Sequence, residues 1–184
     1  MHLPESARNL VLVGFMGSGK SSVGREIARR WGFRFVDTDT TIRQKYRISI
    51  PDIFASFGEP VFRDEENKAL LDLQNSRHAV VATGGGIVLQ HRNHPLLRSL
   101  GVVVWLTASE EVIWERVSRN QNRPLLRTKD PRATIGNLMS TRCPLYGSLA
   151  DITVETSGLT HQEVADRVLA AIRGWSTARN EDHN

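Results

Sequence analysis

The stretch Leu10-Val11-Leu12-Val13-Gly14-Phe15-Met16-Gly17-Ser18-Gly19-Lys20-Ser21-Ser22 sets the frame for everything that follows it in the chain. An apolar run of strand type leads into G-x-x-x-x-G-K-[ST], and a helical pattern, Lys20–Trp31, begins where the motif ends. Strand, glycine-rich loop and helix in that order is the setting in which this pattern cradles phosphates. The glycines let the backbone turn tightly, so successive N–H groups face inward. The helix starting near Lys20 adds its positive end. Lys20 is placed to reach β and γ phosphates, and the Ser21 hydroxyl to coordinate Mg²⁺. Gly17, Ser18, Gly19 and Ser22 complete the candidate nucleotide site. A glycine-rich turn with no ligand is the bland alternative, and the flanking strand and helix weigh against it. The chain contains no Asn/Thr-Lys-x-Asp guanine-reading sequence, which favours ATP over GTP.

Outward from this loop, short apolar runs alternate with longer amphipathic ones. Candidate strands are Leu10–Val13, Phe33–Val36, Ala79–Ala82, Val102–Leu106 and Ile152–Val154. Candidate helices are Lys20–Trp31, Glu59–Asn75, Glu110–Arg119, Ala133–Tyr146 and His161–Trp175. Strands that are apolar almost throughout, separated by helices, predict a buried parallel sheet in a layered α/β fold. Two connections stand out: a helical insertion over about residues 40–76 and an aperiodic Pro- and Arg-containing stretch over about residues 120–131. Both emerge beyond the carboxyl ends of strands, where parallel sheets bind ligands, so an acceptor-binding insertion and a lid are expected there. Ordinary loops are the alternative for each. Residues 1–175 read as one domain and 176–184 as a polar, flexible tail.

Bulk properties narrow the class. A chain of 184 residues, 40% hydrophobic and 24% charged, suits one soluble domain with a sizeable core. The net charge of +4 is mildly basic, but the cations form no dense run of the kind that tracks nucleic acid. Handling of phosphates and a carboxylate accounts for the surplus equally well. The single cysteine, Cys143, excludes an internal disulfide, and no Cys/His spacing suggests a zinc site. His91 and His94 are close in sequence but have no evident third ligand. No signal peptide is evident, and no apolar run approaches the roughly 20 residues of a membrane helix. A cytoplasmic location is expected.

Chemistry-bearing residues follow the strands. After the second comes Val36-Asp37-Thr38-Asp39, whose carboxylates would face one side if the strand continued. Beside a triphosphate, two acids need a cation between them and it. Asp37 is therefore expected in the Mg²⁺ shell, partly through water. Asp39 is then expected to accept a hydrogen bond from the attacking hydroxyl; a solvated helix cap is the alternative for the pair. In Phe62-Arg63-Asp64-Glu65-Glu66, Arg63 and Glu66 share a helical face, giving a fixed fork for a substrate carboxylate or merely a surface ion pair. Ile50 and Phe54 could wall a pocket or pack in a core. The third strand ends in Thr83-Gly84-Gly85-Gly86, which removes side chains where a ligand must approach the backbone. Arg116, Arg123 and Arg142 are candidate phosphate or carboxylate contacts, with Arg123 in the expected lid, where closure would deliver it to the transferring phosphoryl group.

These motifs, in this order, resemble the shikimate kinase family of P-loop kinases. The resemblance runs from about Leu10 to about Ile172. It rests on residues 14–24, Val36–Asp39, Ser49–Phe54, Gly58–Glu66, Ala82–Gly86, Arg123–Leu126 and Arg142–Tyr146. It implies a three-layer fold, a five-stranded parallel sheet flanked by helices, and a monomer. It also implies in-line transfer of the γ-phosphoryl group of MgATP to the 3-hydroxyl of shikimate, on the route to chorismate and the aromatic amino acids. Carried over by position, Lys20, Ser21 and Asp37 would hold phosphate and metal, and Asp39 the ring hydroxyls. Arg63, Gly84, Gly85, Gly86 and Arg142 would bind shikimate, the two arginines clamping its carboxylate, with Glu66 holding Arg63. Arg116 would line the adenine site, and Arg123 would be the lid arginine. The partners expected are shikimate and ATP, with neither nucleic acid nor membrane. A gluconate kinase of the same fold and a non-catalytic nucleotide-binding module are the alternatives.

Overall fold

A computed structural model describes residues 8–119 and 128–181, without the side chains of 177–181. In chain order the elements are β1 (Leu10–Val13), α1 (Lys20–Trp31), β2 (Arg34–Asp37), α2 (Thr38–Tyr46), α3 (Ile50–Leu71) and β3 (Ala79–Ala82). A 3₁₀ turn (Ile87–Leu89) leads to α4 (Asn93–Leu100), β4 (Val102–Thr107), α5 (Glu110–Ser118), α6 (Pro131–Leu149), β5 (Ile152–Glu155) and α7 (His161–Glu181). All pairings are parallel, in the order β2-β3-β1-β4-β5. The strand order turns at β1, so a crevice opens beyond its carboxyl end, where the glycine-rich loop emerges.

The sheet is buried on both faces at its centre because β1 and β3 carry no polar side chains. In β1, Leu10 and Leu12 pack with Val23 and Ile27 of α1 and Val164 and Val168 of α7. The alternate residues Val11 and Val13 join Leu97 and Leu100 of α4, Ile113 of α5 and Tyr146 of α6. A period of two thus divides one apolar strand between two cores, giving the expected three layers. At the outer strand β5 the pattern reverts to alternation: Ile152 and Val154 are buried, Thr153 and Glu155 exposed.

Local chemistry explains where the elements begin and end. Gly32 closes α1 in the left-handed conformation (φ 67°), and Phe33 N–H bonds back to Ala28 O at 2.9 Å. Phe33 is thereby part of the helix cap, and β2 starts one residue later than its apolar pattern suggests. In α3, Gly58 is non-helical (φ 80°, ψ 166°), so Pro60 falls in the first turn of a new helical segment, where its missing N–H costs little. That kink is the helix start expected at Glu59. Helix α4, eight residues with Pro95 in its first turn, was absent from the expected pattern. The backbone of α7 is helical to Glu181, beyond the expected end at Trp175.

Asn9, fully buried, ties the amino-terminal edge of the sheet together. Its Nδ2 donates to Ser76 O (3.0 Å) and Leu100 O (2.8 Å), and its Oδ1 accepts from Ala79 N (3.1 Å). Asn9→Ala removes three bonds and leaves buried backbone groups unpaired. The loss expected from urea unfolding is about 3 kcal/mol; a loss below about 1 kcal/mol would show that the tether is dispensable.

Candidate active site

The glycine-rich loop is held from both sides. Gly14 has φ 145°, and a Cβ there would stand 2.4 Å from Leu106 O, so the turn leaving β1 admits no side chain. Lys20 Nζ donates to Gly14 O and Phe15 O, each at 2.8 Å, which folds the lysine along the inside of the loop. Helix α1 begins with no side-chain cap and no acid in its first turn. Its positive end therefore faces the cleft undiminished, as an anion site requires. Ser18 Oγ is buried, with no hydrogen-bond partner among the described residues. A cleft of about 380 Å³ lies against this loop and includes Gly17, Gly19, Lys20, Ser21, Ser22, Asp37, Asp39, Gly85 and Arg116.

Asp37 and Asp39 both reach that cleft, but not as neighbours on one strand. β2 stops at Asp37, and Asp39 lies in the first turn of α2. Asp37 divides its carboxylate between two tasks. Oδ1 caps α2 by accepting from Thr40 N (3.0 Å), and Oδ2 accepts from the Ser21 hydroxyl (2.6 Å). The helix cap and the pairing with Ser21 are thus compatible, because they use different oxygens. The Ser21 and Asp37 oxygens are hard donors facing a phosphate-sized space, a set that suits Mg²⁺.

The three glycines after β3 are where the other charged groups meet. A Cβ on Gly84 would lie 2.5 Å from Asp39 Oδ1 and 2.7 Å from Glu66 Oε1. On Gly86 it would lie 2.3 Å from Arg63 Nη1, and on Gly85 3.2 Å from Met16 N in the glycine-rich loop. Two threonine hydroxyls fix the turn: Gly84 N donates to Thr38 Oγ1 (3.2 Å), and the Thr83 hydroxyl to Leu12 O (3.0 Å). Arg63 is buried rather than on the surface. Its Nη1 donates to Glu66 Oε2 (2.7 Å), while Nε and Nη2 donate to Glu59 Oε1 (3.0 and 2.7 Å). Arg142, also buried, points Nη1 toward Gly85 O (3.4 Å) and lies 5.7 Å from the Phe15 ring centre. Ile50 and Phe54 pack instead against the small core of Ile42, Ile53 and Phe62.

Arg116 Nη1 donates to Gly17 O (3.2 Å) and Thr156 Oγ1 (3.0 Å), and Nη2 to Thr156 O (2.9 Å). Arg116 therefore joins the glycine-rich loop to the turn after β5. Thr156, Phe15 and Tyr146 hold site residues through contacts between distant segments that no local spacing encodes, whereas Glu59 stands four residues before Arg63 on one helical face, a spacing that could have marked it. Arg123, with most of the expected lid, lies outside the described residues. Among the described residues no group of three or more His, Cys, Asp or Glu is placed to hold a metal by itself. Nor, among them, is any helix long and apolar enough to cross a membrane.

Burial dominates the electrostatics of Glu66. It pushes the carboxyl pKa up from 4.5 to about 7; Arg63 and Arg142 pull it down, and Asp39 pushes it further up. For Arg63, burial opposes the charge, but Glu66 and Glu59 together keep it firmly cationic. A carboxyl raised on folding stabilises the native state fully below pH 4.5 and loses that contribution as pH rises through about 7. Glu66→Gln has no such proton to lose. Its melting temperature relative to the unchanged protein is expected to climb from about pH 5 to about pH 8. Parallel melting curves across that range would contradict the assignment.

Comparison with known proteins agrees with this geometry. Residues 16–173 match the family model described as SKI, shikimate kinase. A shikimate kinase of Thermodesulfovibrio yellowstonii is 44% identical over 162 residues, 88% of this chain and 93% of that protein. Among solved structures, a shikimate kinase from Acinetobacter baumannii in complex with shikimate superposes with a TM-score of 0.88 at 38% identity, covering 92% of this chain and 95% of the other. A gluconokinase from Sinorhizobium meliloti 1021, with a TM-score of 0.62 and 21% identity over the full length of both chains, shares the fold alone. Family match, sequence identity and superposition agree: the chain belongs to the shikimate kinase family.

Proposed function

We propose that this chain transfers the γ-phosphoryl group of MgATP to the 3-hydroxyl of shikimate, giving shikimate 3-phosphate and ADP. One observation supports it above the others: Asp39 lines the same cleft as Lys20, while Arg63 and Arg142 border the adjoining glycine turn. A ring that presents its carboxylate to the two arginines and a hydroxyl to Asp39 spans that arrangement. Among the family's relatives, the A. baumannii protein is described with shikimate bound.

The positions of the described residues support a role for each, and that of Arg123 rests on the family resemblance alone. Lys20 and the first N–H groups of α1 bind the phosphates and draw developing charge toward the loop. Ser21 and Asp37 would hold the Mg²⁺ that accompanies ATP, which would supply positive charge to offset that of the phosphates. Asp39 accepts a hydrogen bond from the acceptor hydroxyl, aiming its oxygen lone pair at phosphorus and holding the proton as the P–O bond forms. Arg63, anchored by Glu59 and Glu66, and Arg142 clamp the carboxylate through charge-assisted bonds. Arg116 forms one wall beside the adenine. Arg123, as the lid arginine, would join the γ phosphate on closure. The insertion over residues 40–76 supplies Arg63 and Glu66 and serves as the acceptor-binding part of the domain.

A coupled assay for ADP tests the substrate. Turnover is expected with shikimate and not with gluconate or nucleoside monophosphates; ADP formation with another acceptor but none with shikimate would overturn the proposal. Lys20→Ala is expected to cripple turnover with any acceptor. Loss of one charged bond to a carboxylate in Arg142→Ala is expected to raise the shikimate KM roughly 10- to 100-fold. Little change is expected in the KM for ATP. An unchanged shikimate KM would refute the clamp.

A further inference from the structure

Tyr146 is fully buried on α6, one helical turn from Arg142 and therefore on the same face. Its ring packs in the core beside Trp105 (centroids 6.0 Å apart), and its hydroxyl donates to Gly85 O. That carbonyl is also the acceptor toward which Arg142 Nη1 points, at 3.4 Å, the long limit of a hydrogen bond. Two donors from one helix thus converge on one oxygen of the glycine turn, and the hydroxyl takes the close position. A buried carbonyl left without a close donor would draw in the next one available.

We propose that Tyr146 is a positioning residue for the acceptor site: by occupying the Gly85 carbonyl it keeps the Arg142 guanidinium available for the substrate carboxylate. Without the hydroxyl, Nη1 closes on Gly85 O, and the guanidinium turns away from the acceptor. The phenol suits the task because it remains a neutral donor. Burial raises its pKa against the pull of the neighbouring Arg142, so no change within the working pH range removes its proton. The inference rests on the proposed role of Arg142 as half of the carboxylate clamp.

Tyr146→Phe retains the buried ring and deletes only the hydroxyl. The shikimate KM is expected to rise about fivefold, as for loss of one ordinary hydrogen bond, with kcat and the KM for ATP within about twofold of the parent. In an Arg142→Ala background the same substitution is expected to change the shikimate KM less than about twofold, because the arginine it protects is gone. In a crystal of the single variant, Nη1 is expected to move from 3.4 Å to about 2.9 Å from Gly85 O. An unchanged shikimate KM in Tyr146→Phe, or the full fivefold rise persisting beside Arg142→Ala, would overturn the inference while leaving the clamp intact. If Arg142→Ala alone leaves the shikimate KM unchanged, the clamp itself fails and this inference with it.

Discussion

Four charged side chains converge on a turn that has no side chains of its own. Gly84 leaves room for the carboxylates of Asp39 and Glu66, Gly86 for the guanidinium of Arg63, and Gly85 lies against the glycine-rich loop after β1 with its carbonyl toward Arg142 and Tyr146. A Cβ at Gly84 or Gly86 would stand under 3 Å from these groups. The turn is therefore the piece on which phosphate cradle, acid and arginines take their spacing. The sheet fixes its position, since Thr83 and Gly84 are bonded to β1 and to the start of α2.

Burying so much charge is costly unless each group is partnered. Arg63 shows how the cost is met: one guanidinium edge is given to Glu59, and Nη1 to Glu66. The pair with Glu66 is fully desolvated, so it contributes more to geometry than to stability. The rise of the Glu66 pKa to about 7 is the visible trace of that cost. Glu59, more exposed, sits at the Gly58 kink, so the insertion bends where its side chain reaches back to the arginine.

Much of this arrangement is readable from sequence, for definable reasons. β1, α1 and β3 have sharp boundaries because an apolar run meets a glycine-rich motif at each, and there the expected ends coincide with those observed. β2 is shifted by one residue because cap closure on Phe33 is a hydrogen-bond event that hydrophobicity does not report. The shared facing of Asp37 and Asp39 would need strand geometry to continue to Asp39. Asp39 lies instead in α2, because Asp37 caps Thr40 as the helix-cap alternative has it. The Arg63–Glu66 spacing was visible but its burial was not, because that depends on glycines twenty residues further along. Thr156 against Arg116, and Tyr146 against Gly85, are contacts between distant segments that leave no periodic trace.

The central claim is spatial: a terminal phosphate and a ring hydroxyl meet between the glycine-rich loop and Asp39, with the ring held by its acid group. The most direct test is a crystal structure with ADP, Mg²⁺ and shikimate bound together. The account predicts the shikimate carboxylate between Arg63 and Arg142, and an Asp39 oxygen within hydrogen-bond reach of the hydroxyl that faces Lys20. An Asp39 turned away from that hydroxyl, with the carboxylate bound apart from both arginines, would contradict it.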